Sequence, residues 1–506
     1  MLKIIFRCDA SIQIGSGHVM RCLTLANSLH EKGAEVTFVC REHPGHLFDQ
    51  IESSPHKLLR LPASTSSSEG RLAHALWLGK TQEQDARQTA EALSTLSVAD
   101  WLIVDHYAFD IEWETAMRAS TKRIMVIDDL ANRAHDCDVL LDQNLHCNME
   151  ARYEKLLPVY CKKLLGPKYA LLRPEFKAAR SNLKVRDGNI KRVVVFFGGS
   201  DPNNETGKTL RAIKQLNRAD FAVDVIVGAT NPNQEEVTGL SAQLSEASLY
   251  RQISNMAEVM AKADLAIGAG GGTMWERCCL GLPSIVISVA SNQQSGCEAM
   301  ARLGATLYLG EAGNVDIALL EGALRVALSS SWLLISMGEE GKTLVDGQGV
   351  ERVTKRLITS SIMLRRAEPE DCERIFNWRN TEETRRFSLE TKPIVFAEHV
   401  AWFVKTLENP DRQILIGESD GEAVGVVRFD RNDKRAVISV YLAPGNYGKG
   451  MGVQLIEQGT SWVEHNWLEV ESIEATIMAR NAQSISAFST AGFEKKSYTY
   501  GKQIRN

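Results

Sequence analysis

A short apolar run, Leu2-Lys3-Ile4-Ile5-Phe6, ends in Arg7, Cys8 and Asp9, and Gly15-Ser16-Gly17-His18 follows it. The run reads as a buried first strand. From His18 to Lys32, Val19, Cys22, Leu23, Ala26 and Leu29 share one face of a helix that Gly33 ends. A strand, a glycine-rich turn and a helix, in that order, belong to open α/β sheets, which bind ligands beyond the carboxyl ends of their strands. Unpaired N–H groups at such a helix start hold anions, and imidazole is the side chain that exchanges protons near neutrality. His18 is therefore a candidate base, with Gly15 and Gly17 beside it. A helix-capping loop with an incidental histidine fits the same residues.

The alternation continues. Glu35–Cys40, Trp101–Val104 and Arg123–Ile127 read as further strands. The last two end in acid, at Asp105 and at Asp128-Asp129, and Val139-Leu140-Leu141 leads to Asp142-Gln143-Asn144. Such a pattern predicts a mostly parallel sheet. Ser64–Glu69 reads as a polar loop. After the charged stretch Lys184–Lys191, a second unit repeats the rhythm with glycine in place of acid. Arg192–Phe197 runs into Gly198-Gly199-Ser200-Asp201, Val223–Val227 into Gly228, and Asp264–Ile267 into Gly268.

From Met363 the character changes. Leu364–Ala367 reads as a strand and Glu370–Asn380 as a helix. Ile414–Glu418, Ala423–Phe429 and Ala436–Leu442 read as a meander, with a turn at Ser419-Asp420-Gly421. The expected domains are 1–180, 187–345 and 363–506, with 346–362 as a connection that carries a helix and ends in Thr359-Ser360-Ser361. A length of 506 residues suits three such domains.

A net charge of −5 argues against nucleic acid or an anionic membrane as the main partner. No stretch approaches the roughly 18–20 apolar residues of a membrane span. Arg7 and Asp9 interrupt the N-terminal run, which does not read as a signal peptide. A cytoplasmic protein is expected, with its ten cysteines as buried thiols.

Two further loops carry chemistry. In Gly268-Ala269-Gly270-Gly271-Gly272-Thr273-Met274-Trp275-Glu276, glycines allow close approach of phosphates, and a first-turn Glu276 can accept from ribose hydroxyls. An ordinary glycine turn with a dipole-favouring glutamate reads the same way. Gly281-Leu282-Pro283, the strand Ser284–Ser288 and Asn292-Gln293-Gln294 follow. Near the C-terminus, Tyr447-Gly448-Lys449-Gly450-Met451-Gly452 opens the helix Val453–Glu464 as an anion cradle. Beyond it lie a strand at Glu474–Met478, then Asn481, Ser484 and Gly492-Phe493.

The run GAGGGTMWE…GLP…NQQ is similar to the nucleotide-binding half of GT-B glycosyltransferases. RCDAS..IGSGHVMRC, IVDHY, IDDLANRAHDCDVLLDQN, LLGPKYALLRPEF and FFGGSDPNN resemble the UDP-sugar hydrolases of pseudaminic acid biosynthesis, over about Met1 to Val345. That resemblance implies two Rossmann-like, doubly wound α/β domains in a GT-B arrangement. It also implies release of UDP from UDP-2,4-diacetamido-2,4,6-trideoxy-β-L-altropyranose by water. His18 would take the proton. Arg7, Asp9, Gly15, Gly17, Asp105, Tyr107, Asp128, Asn144, Gly199 and Ser200 would surround the sugar. Gly270, Gly271, Gly272, Thr273, Glu276, Asn292 and Gln293 would hold UDP. For each sugar contact, a structural role in a turn fits the residue as well.

GKGMG with N-x-x-S-x(7)-G-F resembles GNAT-type N-acetyltransferases, which implies a C-terminal α+β domain from Met363 to about Tyr500. Acetyl-CoA would lie on Leu442, Tyr447, Gly448, Lys449, Gly450, Met451, Gly452 and Asn481. Phe488 stands where many members carry a tyrosine that protonates the thiolate, so another group such as Ser484 or a water would serve, or transfer would proceed without a fixed acid. The implied whole is a bifunctional enzyme that acetylates N4 of a 4-amino UDP-sugar and then removes UDP, with no metal expected. A GT-B transferase with a sugar acceptor, or a hydrolase carrying a non-catalytic acetyl-CoA sensor, remain open alternatives, as does the oligomeric state.

Overall fold

Seven parallel strands form the first sheet: β1 (Lys3–Cys8), β2 (Glu35–Arg41), β3 (Lys57–Leu61), β4 (Trp101–Asp105), β5 (Ile124–Ile127), β6 (Val139–Asp142) and β7 (Lys162–Leu165). Their order is β3-β2-β1-β4-β5-β6-β7. The chain therefore reverses direction across the sheet between β1 and β4, where Cys8 pairs with Asp105. The computed structural model describes residues 2–63, 71–228, 230–251, 253–358, 362–388, 391–419, 421–448 and 450–496. The expected loop at Ser64–Glu69, the linker Thr359-Ser360-Ser361, Asp420 and Lys449 lie outside the described residues.

A second parallel sheet follows, of β8 (Arg192–Phe196), β9 (Ala222–Val227), β10 (Ala247–Arg251), β11 (Leu265–Ala269), β12 (Ser284–Ser288) and β13 (Leu307–Glu311). It has the same winding, β10-β9-β8-β11-β12-β13, with its reversal at β8 and β11, where Phe196 pairs with Gly268. Val193 and Val195 enter one apolar cluster while Val194 enters another. Both faces are thus covered, which is why the central strands read as unbroken apolar runs. Four strands were not expected from the sequence: β3, β7, β10 and β13. All four are sheet edges. Lys57–Leu61 and Ala247–Arg251 are partly exposed along most of their length, so neither carries the continuous apolar signal of a buried strand.

The two sheets and their helices form one compact unit, Met1–Arg356, and residues from Leu357 onward form the second. The segment 346–362, expected as a connection, is helical over Gly349–Ile358. Within the first unit this helix returns to the first sheet's side, with Thr354 Oγ1 bonded to Ser28 Oγ at 2.9 Å and Arg352 donating to the Lys168 carbonyl at 2.8 Å. No single helix among the described residues is long and apolar enough to cross a membrane.

In the second unit, β14 (Met363–Arg366), β15 (Arg412–Ser419), β16 (Glu422–Asn432) and β17 (Arg435–Leu442) pair antiparallel, and β18 (Ser472–Glu474) joins β17 in parallel. The strand expected at Glu474–Met478 is corrected. Pairing of β18 with β17 stops at Val437↔Glu474, and residues 475–478 leave the ladder. The helix Met451–Asn466 packs on one face of this sheet through Leu455, Ile456 and Val463, while Ile375 and Phe403 pack on the other.

Candidate functional sites

His18 is the second residue of the helix Gly17–Glu31, whose N-cap, Ser16, makes no side-chain cap. First-turn amides are therefore left without a capping side chain. The imidazole is nearly buried, and its Nδ1 lies 2.6 Å from Asp105 Oδ1. Asp105 in turn accepts from Arg21 Nε and Nη2, both at 2.6 Å. Burial opposes ionisation of Asp105, but Arg21 and His18 outweigh it and hold the carboxyl well below the usual carboxylate range. A permanent anion on Nδ1 fixes the tautomer with the proton there, which leaves Nε2 as the lone-pair nitrogen. Among the described residues Nε2 makes no hydrogen bond.

Tyr107 packs edge-on against His18 at 4.8 Å, and its hydroxyl donates to Asp129 Oδ1 at 2.5 Å. Asp129 also accepts from Asn144 Nδ2 at 2.9 Å. Asn144 Oδ1 then accepts from Trp275 Nε1 at 3.1 Å. These contacts run from His18, through the carboxyl ends of β4, β5 and β6, to the helix Thr273–Cys279 of the second sheet. They join the crevice of one sheet to the crevice of the other.

Three residues expected around the sugar are placed elsewhere. Arg7 and Asp9 are fully buried, 2.7 Å apart, with Arg7 also on Asp85 at 2.7 Å and Asp9 accepting the Arg41 amide at 2.6 Å. Asp128 is likewise fully buried, paired with Arg133 at 2.7 Å and accepting the Ala131 amide at 2.9 Å. Asp and Arg side chains at strand ends have two outlets, ligand or buried ion pair. Arg7–Asp9 and Asp128–Arg133 pair within a few residues of chain, whereas Asp85, which takes Arg7, and the Arg41 amide, which binds Asp9, come from other elements that one sequence window does not show. Asp129, Arg21 and Arg173 were missed. Asp129 adjoins the chosen Asp128, and the acid-ending strand signal could have found either.

At the second reversal, Gly199 and Ser200 lie exposed after β8, and Gly270–Gly272 follow β11. A Cβ on Gly270 would stand 2.1 Å from Cys297 Sγ, so only glycine lets this loop lie so close to its neighbouring helix. Thr273 opens the short helix, Asn292 is exposed in the first turn of Ser291–Arg302, and Gln293 Oε1 accepts from the Val289 amide at 3.1 Å. Burial pushes the Glu276 carboxyl up to about 7, against the pull of Arg173, whose Nη2 is 3.5 Å away. Burial and the Asp129 charge likewise raise Asp142 to about 7, against Arg152 at 2.6 Å.

In the second unit, Gly448 and Gly450 have φ of 76° and 75°, and a Cβ at Gly448 would meet open space. The strained φ, not crowding, is what calls for glycine there. Met451 and Gly452 begin the helix, and Gly450 gives it no side-chain cap. Tyr447 is exposed before them and Leu442 ends β17. Because β18 departs after Glu474, the outer edge of β17 from Ile438 to Leu442 is unpaired with it. Asn481 Oδ1 accepts from the Ser484 amide at 3.1 Å and so caps the helix Ala482–Thr490. Phe488 is buried, edge-on to Phe493 at 5.0 Å. Among the described residues no group of three His, Cys, Asp or Glu side chains is arranged to hold a metal.

Comparison with known proteins agrees with these architectures. Residues 193–331 match the glycosyltransferase family 28 C-terminal domain, and residues 361–494 match the acetyltransferase (GNAT) domain. The chain is 26% identical over 305 residues to the UDP-2,4-diacetamido-2,4,6-trideoxy-β-L-altropyranose hydrolase of Campylobacter jejuni, covering 60% of this chain and 97% of that one. An uncharacterized protein of Methanocaldococcus jannaschii is 24% identical over 98% of this chain and 97% of its own. The crystal structure of MurG from Acinetobacter baumannii superposes with a TM-score of 0.50 at 15% identity, covering 71% of this chain and 99% of that one. The chain thus joins a GT-B-like unit, homologous to a nucleotide-sugar hydrolase, to a GNAT acetyltransferase domain.

Proposed function

We propose that the first unit removes UDP from UDP-2,4-diacetamido-2,4,6-trideoxy-β-L-altropyranose by attack of water on the anomeric carbon. The observation that carries this reading is the Asp105–His18 pair, joined by the ring contact of His18 with Tyr107 and then by hydrogen bonds through Asp129 and Asn144 to Trp275, in the helix that follows the glycine loop of the second sheet. His18 Nε2 takes a proton from water as the new C–O bond forms. The bond from the anomeric carbon to the diphosphate breaks, and its electron pair leaves with UDP. The amides of Gly270–Gly272 and Thr273 receive the diphosphate, and Glu276 the ribose hydroxyls. Gly15, Gly17, Tyr107, Asn144, Gly199 and Ser200 lie towards the sugar. Arg7, Asp9 and Asp128 hold the strand ends in place from beneath.

The second unit acetylates the 4-amino group of the precursor UDP-sugar, so that one chain performs consecutive steps. Acetyl-CoA supplies an acetyl thioester. The Gly448–Gly452 turn, with its two left-handed glycines, fits the diphosphate of that cosubstrate, and the unpaired edge of β17 fits its extended arm. Met451 and Gly452 offer first-turn amides, Leu442 an apolar contact and Tyr447 an exposed ring. Asn481 uses its oxygen as a cap and keeps its amide nitrogen for a ligand. The buried Phe488 favours one other reading, a unit that binds acetyl-CoA without turning it over.

One incubation decides between these. The protein is supplied with the 4-amino UDP-sugar and acetyl-CoA, and products are identified by mass spectrometry and NMR. Free diacetamido sugar, UDP and free thiol are expected. UDP release without any free thiol assigns the second unit to sensing, and no UDP release overturns the hydrolase reading.

A further inference from the structure

Beside His18 stands an aromatic surface of which the proposed hydrolysis uses only Tyr107. Trp77 lies on the single turn Ala75–Leu78, anchored by the fully buried Leu78. Its ring stacks on Tyr107 at 5.6 Å with 28° between planes and meets His18 edge-on at 6.2 Å. His74 closes the group, 4.5 Å from Trp77 and 5.2 Å from Tyr107. Tyr107 is pinned by its bond to Asp129, so the wall has a fixed frame. Beyond β4 of the same sheet lies another stacked pair, Phe109 and Trp113 at 4.2 Å, and both are fully buried. Trp77 and His74 are instead half-exposed. A core role would bury them, as it buries Phe109 and Trp113. Aromatic faces left open next to a base suit a ligand with apolar carbon at its surface.

We propose that His74, Trp77 and Tyr107 form a subsite for the apolar face of the substrate sugar, selecting pyranoses that carry methyl groups, from a deoxy carbon or an acetamido substituent, over fully hydroxylated ones. The proposal rests on the hydrolase reading and adds its specificity. A hydroxyl turned onto this wall loses water and gains no partner there, whereas a methyl group loses nothing. The wall also stands within ring contact of His18, so a sugar seated on it lies beside the base.

The test is calorimetric titration of the full chain in a His18→Asn background, so that bound sugar persists. Trp77→Ala should weaken binding of the diacetamido UDP-sugar by about tenfold or more, the scale of a lost methyl-sized contact. UDP alone should bind within about twofold of the parent. Trp77→Phe should recover most of the loss. Equal weakening of UDP and UDP-sugar would assign Trp77 to structure alone, and unchanged sugar affinity would remove the wall from recognition. Wild-type enzyme assayed in parallel keeps the two readings apart. Rapid UDP release with Trp77→Ala indifferent overturns the wall and spares the hydrolase, whereas Trp77-dependent binding with no UDP release does the reverse.

Discussion

The two parallel sheets of the first unit share one winding and differ in what their strands end in. Strands of the first sheet run into acids: Asp9, Asp105, Asp129 and Asp142 at or just past the ends of β1, β4, β5 and β6. Strands of the second run into Gly198-Gly199, Gly228 and Gly270–Gly272. Topology delivers both sets to a crevice at the reversal of strand order. On the proposed reading, side chains would do the proton chemistry in one crevice, and bare backbone would make room for phosphate in the other. On that reading, strand order would select where a ligand sits, and the residue after each strand what is done to it.

Removing the base gives the largest expected separation between the sheets. His18→Asn should lower UDP release by about two to four orders of magnitude. UDP affinity, and acetylation by the second unit, should stay at wild-type levels in the same protein. Near-normal hydrolysis by the folded variant would erase the proposed division of labour.

The reciprocal change sharpens it from the other side. Glu276→Ala should weaken UDP binding by roughly 1–3 kcal/mol, from lost charge-assisted bonds to ribose. Titration calorimetry with UDP reads this directly. An unchanged dissociation constant would move the nucleotide away from the second sheet's crevice.

A smaller effect follows from protonation. Burial raises Glu276 from 4.5 to about 7, so between those values the folded chain keeps a proton that the unfolded chain has lost. Stability contributed by this site therefore falls as pH rises from 4.5 to 7 and stays at its lower level above. Glu276→Gln, which cannot ionise, should raise Tm by a few degrees, roughly, over wild type at pH 8, and change it little at pH 4. Thermal melts at the two pH values check the sign; a gain confined to pH 4 would mean that the carboxylate is stabilised in the fold.

Much of this was readable from residues in order. The central strands β1, β4, β8, β11 and β12 are apolar throughout because both faces are covered, and such runs announce themselves. His18, Gly270 and the Gly448–Gly452 turn stood out because their residue types and local sequence suffice to identify them. The edge strands β3, β7, β10 and β13 were missed, since one side faces solvent and only pairing makes them strands. The early end of β18 was missed for a related reason, because Ile473, Ala475 and Ile477 share a strand-like pattern that the ladder does not honour past Glu474.

Local sequence by itself determined the alternation that builds two parallel sheets and a third, different domain, and it marked the glycine turns and the histidine at the ends of particular strands. Periodicity and backbone freedom are properties of consecutive residues, so they need no fold to be seen. Tertiary structure decided which partner each polar side chain meets. Arg7 was paired with Asp85, Asp9 with Arg7 and the Arg41 amide, and Asp128 with Arg133, while Asp105 received His18 across 87 positions of chain and Asn144 received Trp275 across 131. Coulombic pairing and desolvation depend on distance in space, and folding sets that distance between elements far apart in the chain.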